Sequence, residues 1–439
     1  MHRLAPAAAL LAAASLPAPA AAQQQMDPKL AAAVERAAPR AIEIRHIVHQ
    51  NPELGNREFK TAELIAARLR ELGLDVQTNV AKTGVVGTLR GGRPGPFVAV
   101  RADIDALPVT EATTLPFKST VRTQFNGQDV GVMHACGHDI HLAVQLGVAQ
   151  VLASMKDQLP GTVQFIFQPA EEGPPPGEEG GAALMLKEGI WKDRKPSAVF
   201  GLHVDASMPV GVVSAMPGPI MAAADSWTAI IRGTPSHGAY PHLSADPVLM
   251  GAHAVVALQS IVSRNVDPMQ PAVVTVGMFQ GGNRRNIIPP EVKLEGTVRT
   301  FDTEVQNLVE RRMREILDGI TKAGGGSFTL DYQRPYPVTV NDSTLVARLR
   351  PTFERAAGPG KAVAKPKVMG GEDFSFFARE VPGFFLALGG LKPGTTSGDH
   401  HTPTFLVDDG AIPVGMRVMS ALLVDYLKSG GMPTKVAER

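Results

Sequence analysis

The stretch Gly161-Thr-Val-Gln-Phe-Ile-Phe-Gln168 is followed at once by Pro169-Ala-Glu-Glu172. A continuous apolar run of this length is typical of a β-strand that is covered on both faces, as strands of parallel sheets are. Two adjacent carboxylates, Glu171 and Glu172, come directly after that strand. In open α/β sheets, ligands bind at the carboxyl ends of the strands. The stretch therefore predicts a buried sheet with a polar site at its edge.

The segments on either side of this strand alternate between helical and strand-like patterns. Helices are predicted over residues 27–50, 56–72, 139–159 and 181–187, and strands over residues 74–80, 85–90, 97–101 and 197–203. This alternation predicts an α/β fold with a mostly parallel central sheet flanked by helices. Asp103 and Asp105 follow one predicted strand and His203 ends another, so we expect them at the same edge as the glutamates.

A second dense stretch, Met133-His-Ala-Cys-Gly-His-Asp-Ile-His141, precedes one of the predicted helices, which Asp139 is expected to cap. It holds Cys136, the only cysteine of the chain, and His138 two residues later. A thiolate beside imidazoles suits a metal site or an activated nucleophile. A buried cysteine among capping and surface histidines is the third interpretation, and the stretch alone leaves all three open.

Length and charge set limits on the class of protein. The 439 residues suffice for two domains. The 43 Lys and Arg side chains nearly balance 42 Asp and Glu, which argues against a nucleic-acid partner or a polybasic membrane patch. Residues 1–22 combine a basic start, a short Ala/Leu run and small residues before Gln23, so they predict a signal peptide cut near Ala22 and a periplasmic or secreted protein. No later stretch predicts a membrane span.

From about residue 218 the sequence pattern changes. Strands are predicted over residues 225–232, 272–279 and 291–301, with helices over residues 245–263 and 302–323. This run predicts an inserted α+β domain of two layers over residues 218–334. Residues 27–217 and 335–439 would then form the two parts of one catalytic domain, the second with a helix at 343–356, a strand at 383–388 and a closing helix at 411–428.

Eight short motifs follow one another along the chain: RADIDALPV (101–109), MHACGHDIH (133–141), FQPAEEG (167–173), GLHV (201–204), GTPSHGAYPH (233–242), NIIPPEVKLEGTVRTF (286–301), GGEDF (370–374) and HTPTF (401–405). Together they resemble the di-metal amidohydrolase and metallopeptidase family of aminoacylases and carboxypeptidases, in the branch of hippurate hydrolase, N-acetyl-diaminopimelate deacetylase and indole-3-acetyl-amino-acid hydrolases. The resemblance implies a zinc-peptidase-like catalytic domain with an inserted lid and dimerisation domain. It also implies hydrolysis of the amide bond of N-acyl amino acids or small peptides by a water that two divalent ions bridge.

The resemblance assigns roles to residues of these motifs. The metal ligands it implies are Cys136, His138, Glu172, His203 and His401. Such a donor set suits two ions of zinc or manganese, and also cobalt or nickel. Glu171 is implied as the general base that moves a proton from water to the leaving amine, and Asp103 as the residue that orients a ligand. His401 is favoured over His400 because the family pattern is histidine, small polar residue, proline.

The inserted domain carries the remaining implied residues. His237 matches a histidine that polarises the substrate carbonyl, in many members from the partner subunit, which implies a homodimer through the lid. Asn286 and Arg299 match residues that hold the carboxylate or amide of the substrate, and an arginine fork fits a carboxylate at two points. Glu372 and Asp373 lie in a family motif near the metals, but the sequence assigns them no role.

Three alternatives stay open beside this interpretation. Cys136 could act as a nucleophile with a neighbouring histidine as its base. The chain could be a non-catalytic periplasmic relative that captures peptides or metals, although the intact Glu171–Glu172 pair argues against it. It could also be a deacetylase of the N-acetyl-diaminopimelate type.

Overall fold

A computed structural model describes residues 26–431, and the predicted signal peptide lies outside them. The helices are α1 (Pro28–Gln50), α2 (Phe59–Glu71), α3 (His138–Ala153), α4 (Gly181–Lys187), α5 (Pro247–Ser260), α6 (Thr303–Ala323), α7 (Ser343–Ala357), α8 (Phe374–Glu380) and α9 (Ala411–Lys428). The strands are β1 (Asp75–Val80), β2 (Gly84–Arg90), β3 (Arg93–Asp103), β4 (Arg122–Phe125), β5 (Gln128–Gly131), β6 (Pro160–Gln168), β7 (Val199–Pro209), β8 (Val213–Ser214), β9 (Gly218–Met221), β10 (Ala223–Arg232), β11 (Ser236–His237), β12 (Ala272–Gly281), β13 (Ile287–Ile288), β14 (Glu291–Thr300), β15 (Ser327–Tyr336), β16 (Thr339–Asn341) and β17 (Gly383–Leu391).

The central sheet has the strand order β1-β2-β6-β3-β7-β17-β8. Its four middle strands, β6, β3, β7 and β17, are parallel to one another, as the alternating pattern predicts. The strands at both edges are antiparallel, so the sheet as a whole is mixed. β1 and β2 are joined by only a few residues, and so short a connection forms a hairpin, whereas a parallel pair needs a long crossover.

Helices cover both faces of this sheet. Val98 and Val100 of β3 belong to the core that α1, α2, α3, α7 and α9 share, while Ala99 between them faces the core of α4 and α8. Helix α3 is buried around nearly its whole circumference because it lies between α1, α9 and the sheet. This packing fixes His138, the first residue of α3, at the edge of the sheet where the polar residues collect.

A second sheet has the order β12-β14-β10-β15 and is antiparallel throughout. α5 and α6 pack on it around Trp227 and Leu294, which gives two layers. The sequence analysis did not predict β15, whose residues are half-buried or exposed and which therefore lacks a buried apolar run. The predicted domain boundary between residues 334 and 335 falls inside this strand.

Several predicted element boundaries were wrong. α3 ends at Ala153 rather than near residue 159, and α2 begins at Phe59 rather than behind Asn56. Asp139 does not cap α3, since the helix begins behind Gly137 at φ 92°. His203 does not end its strand, because β7 pairs with β17 beyond that position and runs on to Pro209.

Among residues 26–431, no helix has both the length and the apolar character that a bilayer span requires.

Candidate functional site

The five predicted metal ligands come together beside the carboxyl ends of the parallel strands. Cys136 and His138 come from the start of α3, Glu172 from the turn after β6, His203 from β7 and His401 from the loop between β17 and α9. The Sγ atom of Cys136 lies 3.4 Å from Nε2 of His203. Oε1 of Glu172 lies 2.9 Å from Nε2 of His401 and 3.9 Å from Nε2 of His138. We call these five residues the donor cluster.

In two histidines of the cluster, His138 and His203, Nδ1 donates a hydrogen bond to a protein oxygen, which leaves Nε2 with its lone pair. Nδ1 of His138 lies 2.9 Å from the carbonyl oxygen of Asp105 and 3.2 Å from its carboxylate, so it carries the proton. Nδ1 of His203 donates in the same way to the carbonyl oxygen of Val204 at 2.7 Å. Nε2 of His138 is buried and makes no hydrogen bond. Metal-binding histidines typically donate their second N–H in this manner, so the donor cluster fits divalent cations.

Asp105, rather than Asp103, contacts a histidine of the donor cluster through a hydrogen bond. Its carboxylate faces Nδ1 of His138 and also accepts from the backbone N–H of Glu172 at 3.0 Å. Asp103 lies 3.8 Å from Nε2 of His138 and accepts a 2.6 Å hydrogen bond from Nδ1 of His141 instead. The sequence placed both aspartates at this edge, but the two residues are i and i+2 along the chain, so only their hydrogen bonds in the folded protein show which one meets His138.

His141 is close to the donor cluster but has no free nitrogen. Its Nδ1 is bonded to Asp103, and its Nε2 accepts from the backbone N–H of Val204 at 2.8 Å. Both ring nitrogens are therefore used within the protein, and His141 acts as a structural bridge between α3 and β7.

A fully buried arginine explains the position of Glu372 and Asp373. Arg101 donates to Asp103 at 2.8 Å and to Gln168 at 2.8 Å. It also forms ion pairs with Glu372 at 2.8 Å and with Asp373 at 2.7 Å. A buried charge is stable only when it is paired and hydrogen-bonded. The GGEDF motif therefore supplies the counter-charges that hold Arg101 and, through it, Asp103.

The two adjacent glutamates have different environments. Burial, with the negative charges of Glu372 and Glu172, raises the pKa of Glu171 well above its usual range. Burial acts in the same direction on Glu172, but the hydrogen bond from His401 and the charge of His138 outweigh it and lower the Glu172 pKa. Environments that separate the pKa values of two neighbouring carboxyl groups are typical of acid–base sites, with one group as anion and the other as proton carrier.

The thiol of Cys136 is in a poor environment for a nucleophile. Burial and the negative charges of Glu172 and Glu171 raise its pKa well above the usual range. A reactive cysteine needs the opposite, a pKa that nearby positive charge lowers. A thiolate at this position requires cations beside it, which favours the metal interpretation over the nucleophile.

A cavity of about 930 Å³ extends from the donor cluster to the second sheet. Glu171, Cys136 and Arg299 of β14 all line it. The guanidinium of Arg299 is half-buried, and it forms no ion pair or hydrogen bond with any described residue. The apolar part of the wall includes Met216, Pro219, Ile220, Met221 and Val368.

His237 and Asn286 do not line this cavity. Both are exposed at the β11–β13 pair: His237 pairs with Ile287, and the N–H of the following Gly238 donates to the carbonyl oxygen of Asn286 at 2.8 Å. The structure therefore brings Arg299 to the donor cluster of its own chain but leaves His237 and Asn286 on the surface.

The sequence patterns missed two residues that position the glutamate turn. Glu58 is fully buried and accepts from the backbone N–H of Ala170 at 2.9 Å. The hydroxyl of Tyr336 donates to the carbonyl oxygen of Glu171 at 2.7 Å. Neither residue lies in a recognisable motif, and each reaches the turn from a distant part of the chain, so no local signal could have identified it.

Comparison of the sequence with known proteins shows which family the chain belongs to. Residues 99–425 match Peptidase family M20/M25/M40. The chain is 36% identical over 389 residues to thermostable carboxypeptidase 2 of Saccharolobus solfataricus, covering 88% of this chain and 95% of that protein. It is 37% identical over 392 residues to N-acetylcysteine deacetylase of Bacillus subtilis, covering 89% and 97%.

A solved structure agrees with both. The YXEP protein of Bacillus subtilis, described as a dinuclear metal binding peptidase from the M20 family, superposes with a TM-score of 0.75 at 33% identity, covering 90% of this chain and 99% of that one. The predicted resemblance and the α/β fold are thereby confirmed. The chain belongs to peptidase family M20/M25/M40.

Proposed function

We propose that this protein hydrolyses the amide bond of N-acyl amino acids or small peptides. One observation carries the proposal: four residues of the donor cluster, the buried Glu171 and the unpaired Arg299 line one cavity, and the fifth, His138, lies next to Glu172. The names of the two relatives, a carboxypeptidase and an N-acetylcysteine deacetylase, both describe cleavage of an amide bond. The same cavity therefore holds a proton carrier, Glu171, and a cation for the carboxylate of a substrate, Arg299.

The donor cluster would hold two divalent cations. One thiolate, three imidazoles and one carboxylate suit zinc or manganese, and cobalt or nickel also fit such ligands. When bound, such cations polarise the amide carbonyl and activate water at neutral pH. The solved relative described as dinuclear supports the number of two.

Glu171 is the residue we assign to proton transfer. It is buried, and its Oε1 accepts from the backbone N–H of Asp373 at 3.2 Å, which holds the carboxylate at the donor cluster. Glu171 takes the proton from the attacking water and delivers it to the leaving amine. Arg299 binds the carboxylate of the substrate and so fixes which amide bond lies beside Glu171.

A substrate panel tests the proposal directly. The purified protein is loaded with zinc, manganese or cobalt and assayed on benzoyl-, acetyl- and indoleacetyl-amino acids and on dipeptides. We expect hydrolysis that a chelator abolishes and that added metal restores. Tight binding of these compounds without hydrolysis under any metal would instead support a binding protein.

The assembly we propose is a homodimer through the second sheet. β12 is an edge strand of that sheet and exposes Met278 and Phe279, and the neighbouring α5 exposes Val256 at 74%. An unpaired edge and clustered exposed apolar side chains are features of association surfaces. A partner bound there could bring its exposed His237 to the cavity. Sedimentation measurements should give twice the mass of one chain, and a monomer would contradict the dimer.

We also propose that the protein is exported and that residues 1–22 are removed. The basic start, the short apolar run and the small residues before Gln23 support this. Expression in a Gram-negative host, fractionation and N-terminal sequencing should give a periplasmic chain that begins at Gln23. A cytoplasmic chain that keeps its first residues would contradict the proposal.

A further inference from the structure

Two adjacent histidines reach the donor cluster from the same loop. Nε2 of His401 lies 2.9 Å from Glu172, and Nδ1 of His400 lies 3.6 Å from Sγ of Cys136. Each forms a compact group with other donor atoms: Cys136, Glu172 and His401 in one, and Cys136, His203 and His400 in the other. Proximity alone therefore does not separate a ligand from a neighbour.

The second ring nitrogen of His400 separates them. Nε2 of His400 accepts a hydrogen bond from the backbone N–H of Ala206 at 3.4 Å, so this nitrogen carries no proton. A neutral imidazole has one protonated and one unprotonated nitrogen. The proton of His400 must then lie on Nδ1, which faces the sulfur of Cys136. His400 presents a donor there, where a metal ligand would present a lone pair.

His203 approaches the same sulfur with the opposite tautomer. Its Nδ1 donates to the carbonyl oxygen of Val204, and its unprotonated Nε2 lies 3.4 Å from the sulfur. His141 follows the pattern of His400, with Nε2 bonded to a backbone N–H and Nδ1 donating to Asp103. Backbone groups of β7 thus set the tautomer of all three histidines. His203 presents a lone pair to the donor cluster, whereas His141 and His400 are N–H donors at Nδ1.

We propose that His400 is a positioning residue that donates a hydrogen bond from Nδ1 to the thiolate of Cys136 and so sets the electron density of this sulfur. The inference rests on the proposed function in one respect, that the donor cluster holds cations. Cys136 is buried in the same cavity as Glu171 and Glu172, whose negative charges disfavour a thiolate. A hydrogen bond from the neutral imidazole of His400 stabilises the thiolate there. An N–H bonded to sulfur withdraws electron density from it, which weakens its donation to bound ions.

Cobalt provides the test, because a thiolate bound to Co²⁺ gives a charge-transfer absorption band in the near ultraviolet. The wild-type protein is compared with His400→Ala, which removes the donor, and with His400→Asn, whose amide nitrogen overlays Nδ1. We expect His400→Ala to bind as many cobalt ions as the wild type and to shift the band to longer wavelength, because the sulfur becomes richer in electrons. His400→Asn should restore the wild-type band.

The matched control is His253→Ala, which changes an exposed histidine on α5 and should leave the band unchanged. An unshifted band in His400→Ala would overturn the proposal. Loss of one cobalt ion in both His400 variants would also overturn it, because His400 would then be a ligand. This test reads the cobalt band and not hydrolysis. If the substrate panel showed no hydrolysis, the proposed function would fail, but the band would still show whether His400 donates to Cys136.

A measurement on the wild type covers the case in which His400→Ala does not fold. In zinc-loaded protein with nitrogen-15-labelled histidine, His400 is assigned by comparison with His400→Asn. We expect a protonated Nδ1 and an unprotonated Nε2. A metal-bound or unprotonated Nδ1 would overturn the hydrogen bond to Cys136.

Discussion

At the scale of single residues, the site depends on how backbone groups and carboxylates fix each side chain. Asp105 holds both His138 and the backbone of Glu172, and Arg101 holds Asp103 together with the two carboxylates of the GGEDF motif. Glu171 is held in turn by the N–H of Asp373. The chemical groups are therefore preorganised, which is the condition for stabilising a transition state rather than only a substrate.

Replacing Glu171 by Gln should lower kcat by about 10²–10⁴-fold, because the side chain keeps its shape but no longer carries a proton. The donor cluster is untouched, so we expect the metal content measured by elemental analysis to stay at the wild-type value. Glu179→Gln, at an exposed carboxylate that pairs with Lys187, is the matched control and should keep full activity. Wild-type turnover by the Glu171 variant would remove this residue from the mechanism.

Replacing Arg299 by Met should reduce kcat/KM for substrates with a free carboxylate by an amount equivalent to about 1.5–3 kcal/mol, because a hydrogen-bonded charge partner is lost. Substrates whose carboxylate is blocked as an amide should lose little. Arg232→Met, at an exposed arginine of β10, serves as control. Equal losses on both kinds of substrate would show that Arg299 does not bind the carboxylate.

At the scale of elements, buried charges tie α1 to α3. Arg45 and His49 of α1 both bond Oδ2 of Asp139 in the first turn of α3, each at 2.9 Å. The second nitrogen of His49 lies 3.3 Å from Glu111. Both ring nitrogens therefore face carboxylates, and the imidazolium form is favoured. This contact fixes the start of α3, and with it Cys136 and His138.

The charge of His49 predicts a dependence of stability on pH. Burial lowers the pKa of His49, but Asp139 and the hydrogen bond to Glu111 outweigh it and raise the pKa to about 9 from an ordinary value of 6.5. A raised pKa stabilises the fold fully below pH 6.5, and the contribution is lost as the pH rises through about 9. Its size is about 3 kcal/mol.

Urea unfolding of the metal-free protein between pH 6 and pH 10 checks this prediction. The free energy of unfolding of the wild type should fall with rising pH, and His49→Gln should be less stable at pH 6 with a flatter profile. His253→Gln should reproduce the wild-type profile. An equally steep profile for His49→Gln would show that His49 is not the titrating group.

At the scale of the whole molecule, one chain does not assemble all the implied residues. Arg299 of the second sheet lines the cavity, whereas His237 and Asn286 lie exposed at the separate β11–β13 pair. The exposed edge of β12 and the exposed apolar residues of α5, which packs on β12, belong to the same inserted domain. A second copy seated on this surface would explain both the exposed histidine and the exposed apolar side chains.

Mixing two inactive variants tests whether His237 acts in the partner. His237→Ala keeps Glu171, and Glu171→Gln keeps His237, so a mixed dimer contains one complete site if the histidine crosses over. Random re-pairing should recover about a quarter of wild-type activity, with each variant alone near zero. No recovery, with mixed dimers confirmed by mass spectrometry, would place His237 in its own chain or outside the reaction.

The amino-acid sequence determined the α/β fold and the family, because apolar strands, helical periodicity and eight ordered motifs are local features. It also predicted the five residues of the donor cluster and Arg299 as site residues, and the structure brings the five together and places Arg299 in the cavity that four of them line. The hairpin pairing of β1 and β2, the polar strand β15 and the end of β7 depended on which strands lie side by side.

Only the tertiary structure decided which neighbour fixes each functional side chain. Asp105 rather than Asp103 meets His138, Asp139 pairs with Arg45 instead of capping α3, and Ala206 sets the tautomer of His400. Each of these contacts joins residues that are distant in the chain. The physical reason is that a buried polar group must find a hydrogen-bond partner in space, and no local sequence pattern records which partner that is.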